Sequence, residues 1–187
     1  KNVSIDINEI FEGVVKLGDN VSIGANSILI DSVIGQNTSI KPFTMIEGAS
    51  IGNNSFVGPY GRIRAGTVIN DFVQIGNFVE IKNSTIKNKC RINHLSFIGD
   101  ADLAQNVTIG AGTITCNHNG INLSKINIKT NAFVGSGSNL IAPLTIGAGS
   151  TIGAGSTINK DVTEGNLVIA RAKQIEIKNW HSSKPKK

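Results

Sequence analysis

The stretch TIGAGSTIGAGSTI, residues 145–158, decides the fold because it repeats itself after six residues. Ile146, Ile152 and Ile158 stand at the same point of successive units, and a glycine follows the first two. Aliphatic residues continue this spacing through most of the chain, at Leu17, Ile23, Leu29, Ile34, Ile40, Ile46, Ile51, Val57, Ile63, Ile69, Ile75, Ile81, Ile86, Ile92, Ile98, Leu103, Ile109, Val134 and Leu140. Four steps are five residues long (29 to 34, 46 to 51, 81 to 86 and 98 to 103), and residues 109 to 134 interrupt the spacing.

A six-residue period fits neither a helix nor a simple alternating strand, and it is typical of a β-solenoid. Each unit supplies one short strand and one corner, so three units, or 18 residues, close a triangular coil. The aliphatic residue points into the prism, where it stacks on its equivalents at about 4.8 Å. The sequence therefore predicts an all-β, hexapeptide-repeat parallel β-helix, and the left-handed winding comes with this class of fold.

The composition excludes several other classes. The chain has 187 residues, 5% aromatic residues, 21 glycines and a net charge of +5. No apolar run approaches the roughly 18 residues that span a bilayer, so we expect no membrane span. No nucleic-acid-binding motif is visible, and the basic excess is too modest to indicate such a partner. Cys90 and Cys116 have neither metal-site nor disulfide-framework spacing, which favours a reducing, cytoplasmic setting.

The interruption of the repeat suggests how the chain is organised. Residues 1–162 are expected to form the β-helix, with an inserted loop over about 116–130, CNHNGINLSKINIKT, that protrudes from the coil wall. Residues 163–187 are expected to form a C-terminal capping segment and a basic tail. The chain opens without an initiator Met, which suggests a fragment or a processed protein.

Two cations interrupt the apolar pattern at matching positions. Arg64 and Lys82 are 18 residues apart, so they should lie one above the other on the same edge. Like charges at that distance repel unless an anion bridges them. The pair is therefore either a solvated charge ladder or a clamp for a phosphate group.

His94 lies two residues beyond core position Ile92, so it should project outward or lie at a corner. It is either a surface or packed histidine or a general base, since a histidine can accept a proton from an amine near neutral pH. A neighbouring acid, Asp100 or Glu80, could orient its ring.

Residues 135–157 carry many Gly and Ala residues. These either serve corner geometry or leave a smooth wall for a long, thin ligand, with Arg171 near a terminal phosphate.

Six segments together resemble a known family over essentially the whole chain. They are GPYGRIRAG (58–66), IGNFVEIKN (75–83), NHLSFIGDA (93–101), NVTIGAGTITCN (106–117), FVGSGSNLIAP (133–143) and EGNLVIARAKQ (164–174). In order and spacing they resemble the C-terminal half of the bifunctional N-acetylglucosamine-1-phosphate uridyltransferase/glucosamine-1-phosphate acetyltransferases.

The resemblance implies an acetyltransferase that works as a homotrimer, with active sites between subunits. It implies transfer of the acetyl group of acetyl-CoA to the amine of glucosamine-1-phosphate, for UDP-N-acetylglucosamine synthesis, with His94 as the base. It assigns the sugar phosphate to Arg64 and Lys82. It assigns acetyl-CoA contacts to Ala111, Asn117, Ser136, Ala154 and Arg171.

The chain also departs from the family pattern. The family usually has Tyr at the position of Phe97 and Asn at the position of Thr108, both on the sugar side, which keeps a different amino sugar or serine open as the acceptor. His118 replaces an aromatic residue, and Leu123 stands where the family has a Lys near the coenzyme phosphates.

The other half of the family proteins, the uridyltransferase domain, is absent from this sequence. No matching nucleotide loop or magnesium carboxylates are visible in it. We therefore expect that acetyl transfer requires no metal.

Two alternatives come from other functional classes. A zinc site of the carbonic-anhydrase type would need three convergent histidines, and the spacing of His94, His118 and His181 is unsuitable. A non-catalytic trimeric scaffold would not need Arg64, Lys82, His94, Asn117 and Arg171 together, and absence of coenzyme A binding would favour it.

Overall fold

The computed structural model of the chain describes residues 1–178 and residue 180. Its short strands follow in chain order. The first nine are β1 (Ser4–Ile5), β2 (Ile10–Glu12), β3 (Lys16–Leu17), β4 (Ser22–Ile23), β5 (Ile28–Ile30), β6 (Val33–Ile34), β7 (Ser39–Ile40), β8 (Met45–Glu47) and β9 (Ser50–Ile51). The next nine are β10 (Phe56–Val57), β11 (Arg62–Ile63), β12 (Val68–Ile69), β13 (Gln74–Asn77), β14 (Glu80–Lys82), β15 (Thr85–Ile86), β16 (Arg91–His94), β17 (Phe97–Gly99) and β18 (Ala101–Leu103). The last nine are β19 (Thr108–Ile109), β20 (Ile114–Cys116), β21 (Ile126–Ile128), β22 (Phe133–Val134), β23 (Asn139–Ile141), β24 (Leu144–Ile146), β25 (Thr151–Ile152), β26 (Thr157–Ile158) and β27 (Leu167–Val168).

The strands build three parallel sheets, because up to β26 every third strand returns to the same face. The first sheet runs from β1 to β27 with ten strands, the second from β2 to β26 with nine, and the third from β3 to β24 with eight. Each strand pairs with its equivalents in the coils above and below. No helix occurs among the described residues. The all-β, left-handed parallel β-helix predicted from the repeat is confirmed.

The core consists of the repeating aliphatic residues. Ile63 pairs in register with Ile81, and Ile75 with Ile92, as the spacing predicts. All four side chains are fully buried. Burying one such side chain contributes about 1.5–3 kcal/mol, so stacked coils gain stability that a single coil lacks. A step of five residues changes the coil from 18 to 17 residues, as in the pairing of Ile81 with Ile98.

The small residues of the repeat are explained by the corners. A Cβ added at Gly135 would lie 2.5 Å from the backbone nitrogen of Ala154, so a side chain here would collide with the next coil. Three residues later, the buried Ser138 hydroxyl donates to the Gly135 carbonyl at 2.6 Å. Ser150 donates to Gly147 in the same way, also at 2.6 Å. The motif therefore pairs a close backbone approach with an internal hydrogen bond.

The inserted loop is narrower than the region expected from the sequence. Strand β20 ends at Cys116 and β21 begins at Ile126, so the segment outside the sheets is 117–125. Within the expected 116–130 region, Ile128 pairs with Leu103 and Ile146, and it is fully buried. In the loop, His118 forms an antiparallel bridge with Leu123. The coil wall thus continues beneath the loop.

The two ends of the prism differ. In the first coil Ile5 and Phe11, which pair in register with the core residues Ile23 and Leu29, are 50% and 41% exposed. At the other end β27 pairs with β25, and residues 169–178 follow without a strand. The tail lysines and His181 lie outside the described residues. No helix in the described part of the chain is long and apolar enough to cross a membrane.

Candidate active site

Four predicted site residues lie in one line along the corner that follows the first sheet. The core residues Ile92, Ile109, Val134 and Ile152 are paired in register. The residue two positions beyond each of them occupies the corner, and these residues are His94, Ala111, Ser136 and Ala154. We call this set the His94 corner line.

Hydrogen bonds connect the corner line from coil to coil. The Gly112 N–H donates to the His94 carbonyl at 3.3 Å, and the Gly137 N–H donates to the Ala111 carbonyl at 2.7 Å. One coil further on, the Arg171 guanidinium donates through Nη1 to the Ala154 carbonyl at 2.7 Å. The structure therefore brings His94, three of the small residues assigned to the coenzyme, and Arg171 onto one edge.

The corner line carries little side-chain bulk beyond His94. Ser136 and Ala154 are exposed, and Ala111 is partly exposed. A Cβ added at Gly110 would lie 2.4 Å from the backbone nitrogen of Ser136. Neighbouring coils thus approach closely here and leave a smooth wall on which an extended ligand can lie.

The His94 ring is held by an asparagine rather than by an acid. Its Nδ1 lies 2.7 Å from Oδ1 of Asn77 in the preceding coil. Because an amide oxygen only accepts hydrogen bonds, Nδ1 donates, and the neutral ring keeps Nε2 as an acceptor. The sequence suggested Asp100 or Glu80 for this role, and the structure pairs both with other residues. His94 is exposed, so Nε2 is open to a substrate.

The predicted cation pair lies at the end of strands in the second sheet. Ile63 pairs with Ile81, so Arg64 and Lys82 follow equivalent positions. Arg64 is not bare, because its Nη1 lies 2.8 Å from Oε1 of Glu80, with both side chains about two fifths exposed. No carboxylate of the described residues lies within 4 Å of the Lys82 ammonium. Glu80 therefore partly offsets the repulsion between the two cations.

Asn117 belongs to the same side as the cations rather than to the His94 corner line. It lies two residues beyond Thr115, which pairs in the second sheet, at the start of the inserted loop. Its side chain is only 8% exposed, and its amide donates to Oδ2 of the buried Asp100. Among the described residues, no hydrogen bond or ion pair joins His94 to Arg64, Lys82 or Asn117. One chain thus presents two groups of site residues, separated by a strand of the second sheet.

Two partners of the site residues escaped the sequence interpretation. Asn77 lies two residues beyond Ile75, just as His94 lies two residues beyond Ile92. The repeat spacing that places Arg64 beside Lys82 would therefore also have placed Asn77 beside His94. Glu80 was considered as a partner for His94 and instead contacts Arg64.

The described residues contain no group of three or more His, Cys, Asp or Glu side chains placed to hold a metal ion. Both cysteines are free. Burial raises the pKa of the Cys90 thiol to about 11.

Comparison with known proteins agrees with this architecture. A family model described as bacterial transferase hexapeptide (six repeats) matches residues 31–65. The bifunctional protein GlmU of Aromatoleum aromaticum is 45% identical over 187 residues, which is 100% of this chain and 41% of the relative. GlmU of Baumannia cicadellinicola is 49% identical over 185 residues, covering 99% of this chain and 39% of the relative.

A solved structure shows the same fold at lower identity. The UDP-N-acetylglucosamine acyltransferase from Campylobacter jejuni superposes with a TM-score of 0.60 at 20% identity, covering 88% of this chain and 70% of that one. The family resemblance noted in the motifs is confirmed. This chain is therefore a hexapeptide-repeat β-helix, homologous over its whole length to the bifunctional GlmU proteins, of which it spans about two fifths.

Proposed function

We propose that this chain transfers the acetyl group of acetyl-CoA to the amine of glucosamine-1-phosphate, giving N-acetylglucosamine-1-phosphate for UDP-N-acetylglucosamine synthesis. The observation that carries the proposal is the His94 corner line, which combines one oriented histidine, a wall of small residues and a terminal arginine. The identity to GlmU proteins over the whole chain supports the choice of substrates.

In this mechanism His94 acts as the general base. Nε2 of His94 takes a proton from the sugar amine while the amine nitrogen attacks the thioester carbonyl. The new C–N bond forms, the C–S bond breaks, and the coenzyme leaves as a thiol after receiving the proton that Nε2 of His94 had taken from the amine. Asn77 keeps the accepting nitrogen pointed outward throughout, because it holds the proton of Nδ1. A positioned base of this kind contributes roughly 10²–10⁴ to the rate.

The polar residues bind the two substrates at opposite ends. Arg64 and Lys82 hold the sugar phosphate, Arg64 through its planar guanidinium and Lys82 as a point charge. Ala111, Ser136 and Ala154 lie along the extended coenzyme, and Arg171 meets its phosphates. Asn117 contributes from the start of the inserted loop. The exposure of Ser136 and Ala154 supports this fit, since their small side chains leave the surface of the corner open.

We further propose that the active unit is a homotrimer in the cytoplasm. The two groups of site residues lie on different corners of one chain, so a complete site would combine the His94 corner of one subunit with the cation corner of the next. An exposed aromatic stack supports an interface beside the His94 corner, with ring centroids 5.0 Å apart for Phe43 and Tyr60 and 5.1 Å for Tyr60 and Phe78. The two free thiols fit a reducing compartment.

Thiol release from acetyl-CoA in the presence of glucosamine-1-phosphate tests the proposal. The native chain should release thiol and form a product heavier by one acetyl group. His94→Ala should lower kcat by at least about 100-fold, while coenzyme A binding by calorimetry and the melting temperature remain native. Equal turnover by both proteins would remove His94 from the mechanism. Sedimentation velocity measures the proposed trimer independently.

A second acceptor is tested in the same assay, because Phe97 and Thr108 depart from the family pattern. A native chain that binds coenzyme A but releases no thiol with glucosamine-1-phosphate should be assayed with other amino sugars and with serine. A chain that binds no coenzyme A would instead be a non-catalytic scaffold.

A further inference from the structure

A buried carboxylate connects the two sides of the inserted loop. Asp100 is 7% exposed and adopts a φ of 50°, a left-handed conformation that Asp tolerates better than most side chains. Its N–H donates to the Lys82 carbonyl at 3.0 Å, and its carbonyl accepts from the Ile126 N–H at 3.1 Å. Its backbone therefore joins a candidate sugar-phosphate residue to the point where the loop returns to the sheet.

The side chain of Asp100 is matched by two amides rather than by a cation. Oδ1 accepts from the Asn83 amide of the coil before, and Oδ2 accepts from the Asn117 amide at the start of the loop. No basic group of the described residues forms an ion pair with this carboxylate. Since a carboxylate only accepts hydrogen bonds, both asparagines must turn their NH₂ groups toward it.

This arrangement fixes the direction of Asn117. Its NH₂ group is used by Asp100, so its side-chain carbonyl oxygen is left for another donor. Gly99 allows Asn117 to seat closely, because a Cβ at Gly99 would lie 2.7 Å from Nδ2 of Asn117. Free rotation of the amide, which would exchange the oxygen and the nitrogen, would bring its oxygen against the carboxylate oxygen of Asp100.

We propose that Asp100 is a positioning residue that makes Asn117 present its carbonyl oxygen to an N–H or O–H donor of acetyl-CoA. This inference rests on the proposed function. It assigns to the coenzyme a donor group at Asn117, such as an amide N–H or a hydroxyl of its extended arm. It also explains why a carboxylate, with no ion-pair partner among the described residues, is buried at the base of the loop.

Asp100→Asn separates this role from simple packing. The new side chain has one accepting oxygen and one NH₂ group. Its oxygen can accept from the Asn83 amide, but its NH₂ group then faces the NH₂ group of Asn117. Asn117 can avoid this clash only by rotating its amide, which turns its oxygen inward. We expect the KM for acetyl-CoA to rise by up to about tenfold, the upper end of the loss expected for one hydrogen bond between uncharged groups. The KM for glucosamine-1-phosphate should change less than about twofold, since the backbone bond to Lys82 is retained.

Two further variants complete the experiment. In Asp100→Asn/Asn117→Asp the donor and acceptor exchange places, and the outer oxygen at position 117 is kept, so the KM for acetyl-CoA should return to within about threefold of the native value. Asp31→Asn is the matched control. Asp31 also has a left-handed φ of 43°, and it accepts only the Val14 N–H at 2.9 Å among the described hydrogen bonds. Its kinetics should be native.

The outcomes separate the inference from the function. A folded Asp100→Asn with an unchanged KM for acetyl-CoA, in an active enzyme, overturns the inference alone. So does an equal rise in both KM values that the exchanged pair does not restore. A native chain that neither binds coenzyme A nor releases thiol refutes the proposed function and this inference with it. If Asp100→Asn does not fold, the double variant Asp100→Asn/Asn117→Asp decides. A folded double variant with native coenzyme affinity supports the inference, and one with tenfold weaker affinity refutes it.

Discussion

Removing the Asn77 side chain should slow the chemical step without changing substrate binding. In the structure Oδ1 of Asn77 holds Nδ1 of His94 at 2.7 Å. A neutral hydrogen bond contributes about 0.5–1.5 kcal/mol, equivalent to roughly two- to tenfold in rate. Because His94 is exposed, water can partly replace the lost acceptor. For Asn77→Ala we therefore expect kcat to fall about fivefold, with both KM values within about twofold of native.

The assay is thiol release at saturating acetyl-CoA and glucosamine-1-phosphate, at pH 8. Asn93→Ala is the neighbouring control, since its buried Oδ1 has no hydrogen-bond partner, and its kcat should be native. Asn77→Asp keeps an accepting oxygen, so it should retain more of kcat than Asn77→Ala. A native kcat for Asn77→Ala would refute the positioning role of Asn77, and a kcat for Asn77→Asp below that of Asn77→Ala would show that Nδ1 accepts rather than donates.

Three other variants or treatments probe separate parts of the molecule. Lys82→Ala should raise the KM for glucosamine-1-phosphate about tenfold or more through loss of a charged contact, while calorimetry shows unchanged coenzyme A affinity. Ala154→Phe should weaken coenzyme A binding more than about tenfold by filling the corner wall, with a melting temperature close to native because position 154 is exposed. Since burial raises the pKa of Cys90 to about 11, iodoacetamide at pH 8 should label Cys116 in the folded chain and Cys90 only in urea, as peptide mass mapping would show. The raised pKa also means that the protonated Cys90 thiol contributes fully to the free energy of unfolding below the unfolded thiol pKa of about 8.5, and that this contribution is lost as the pH rises toward 11. Urea denaturation midpoints at pH 8 and pH 10, compared with those of Cys90→Ala, measure this loss.

The register of the coils could be predicted because a prism interior accepts only one face of each strand. A shift by one residue would turn Ile81 outward and a polar neighbour inward. The spacing of Ile63 and Ile81 is therefore enough to place Arg64 beside Lys82, and the strand pairing confirms that placement.

Side-chain partners could not be predicted in the same way. Several polar side chains lie within one coil spacing of His94, and the rotamer decides which of them makes contact. Asn77 and Glu80 lie in the same coil, yet Asn77 contacts His94 and Glu80 contacts Arg64. The extent of the inserted loop was also obscured, because Ile128 fills a core position without the glycine that marks other units.

The stacking of coils fixes the length of the His94 corner line. From His94 to Arg171 the line advances by four coils, through Ala111, Ser136 and Ala154. At about 4.8 Å a coil, the two ends stand roughly 19 Å apart along the axis. Because each coil contacts only its neighbours, a whole coil inserted or removed would change this length by a fixed increment and leave the packing of the others intact. A hexapeptide-repeat chain can thus be matched to a longer or shorter ligand by a change in its number of coils.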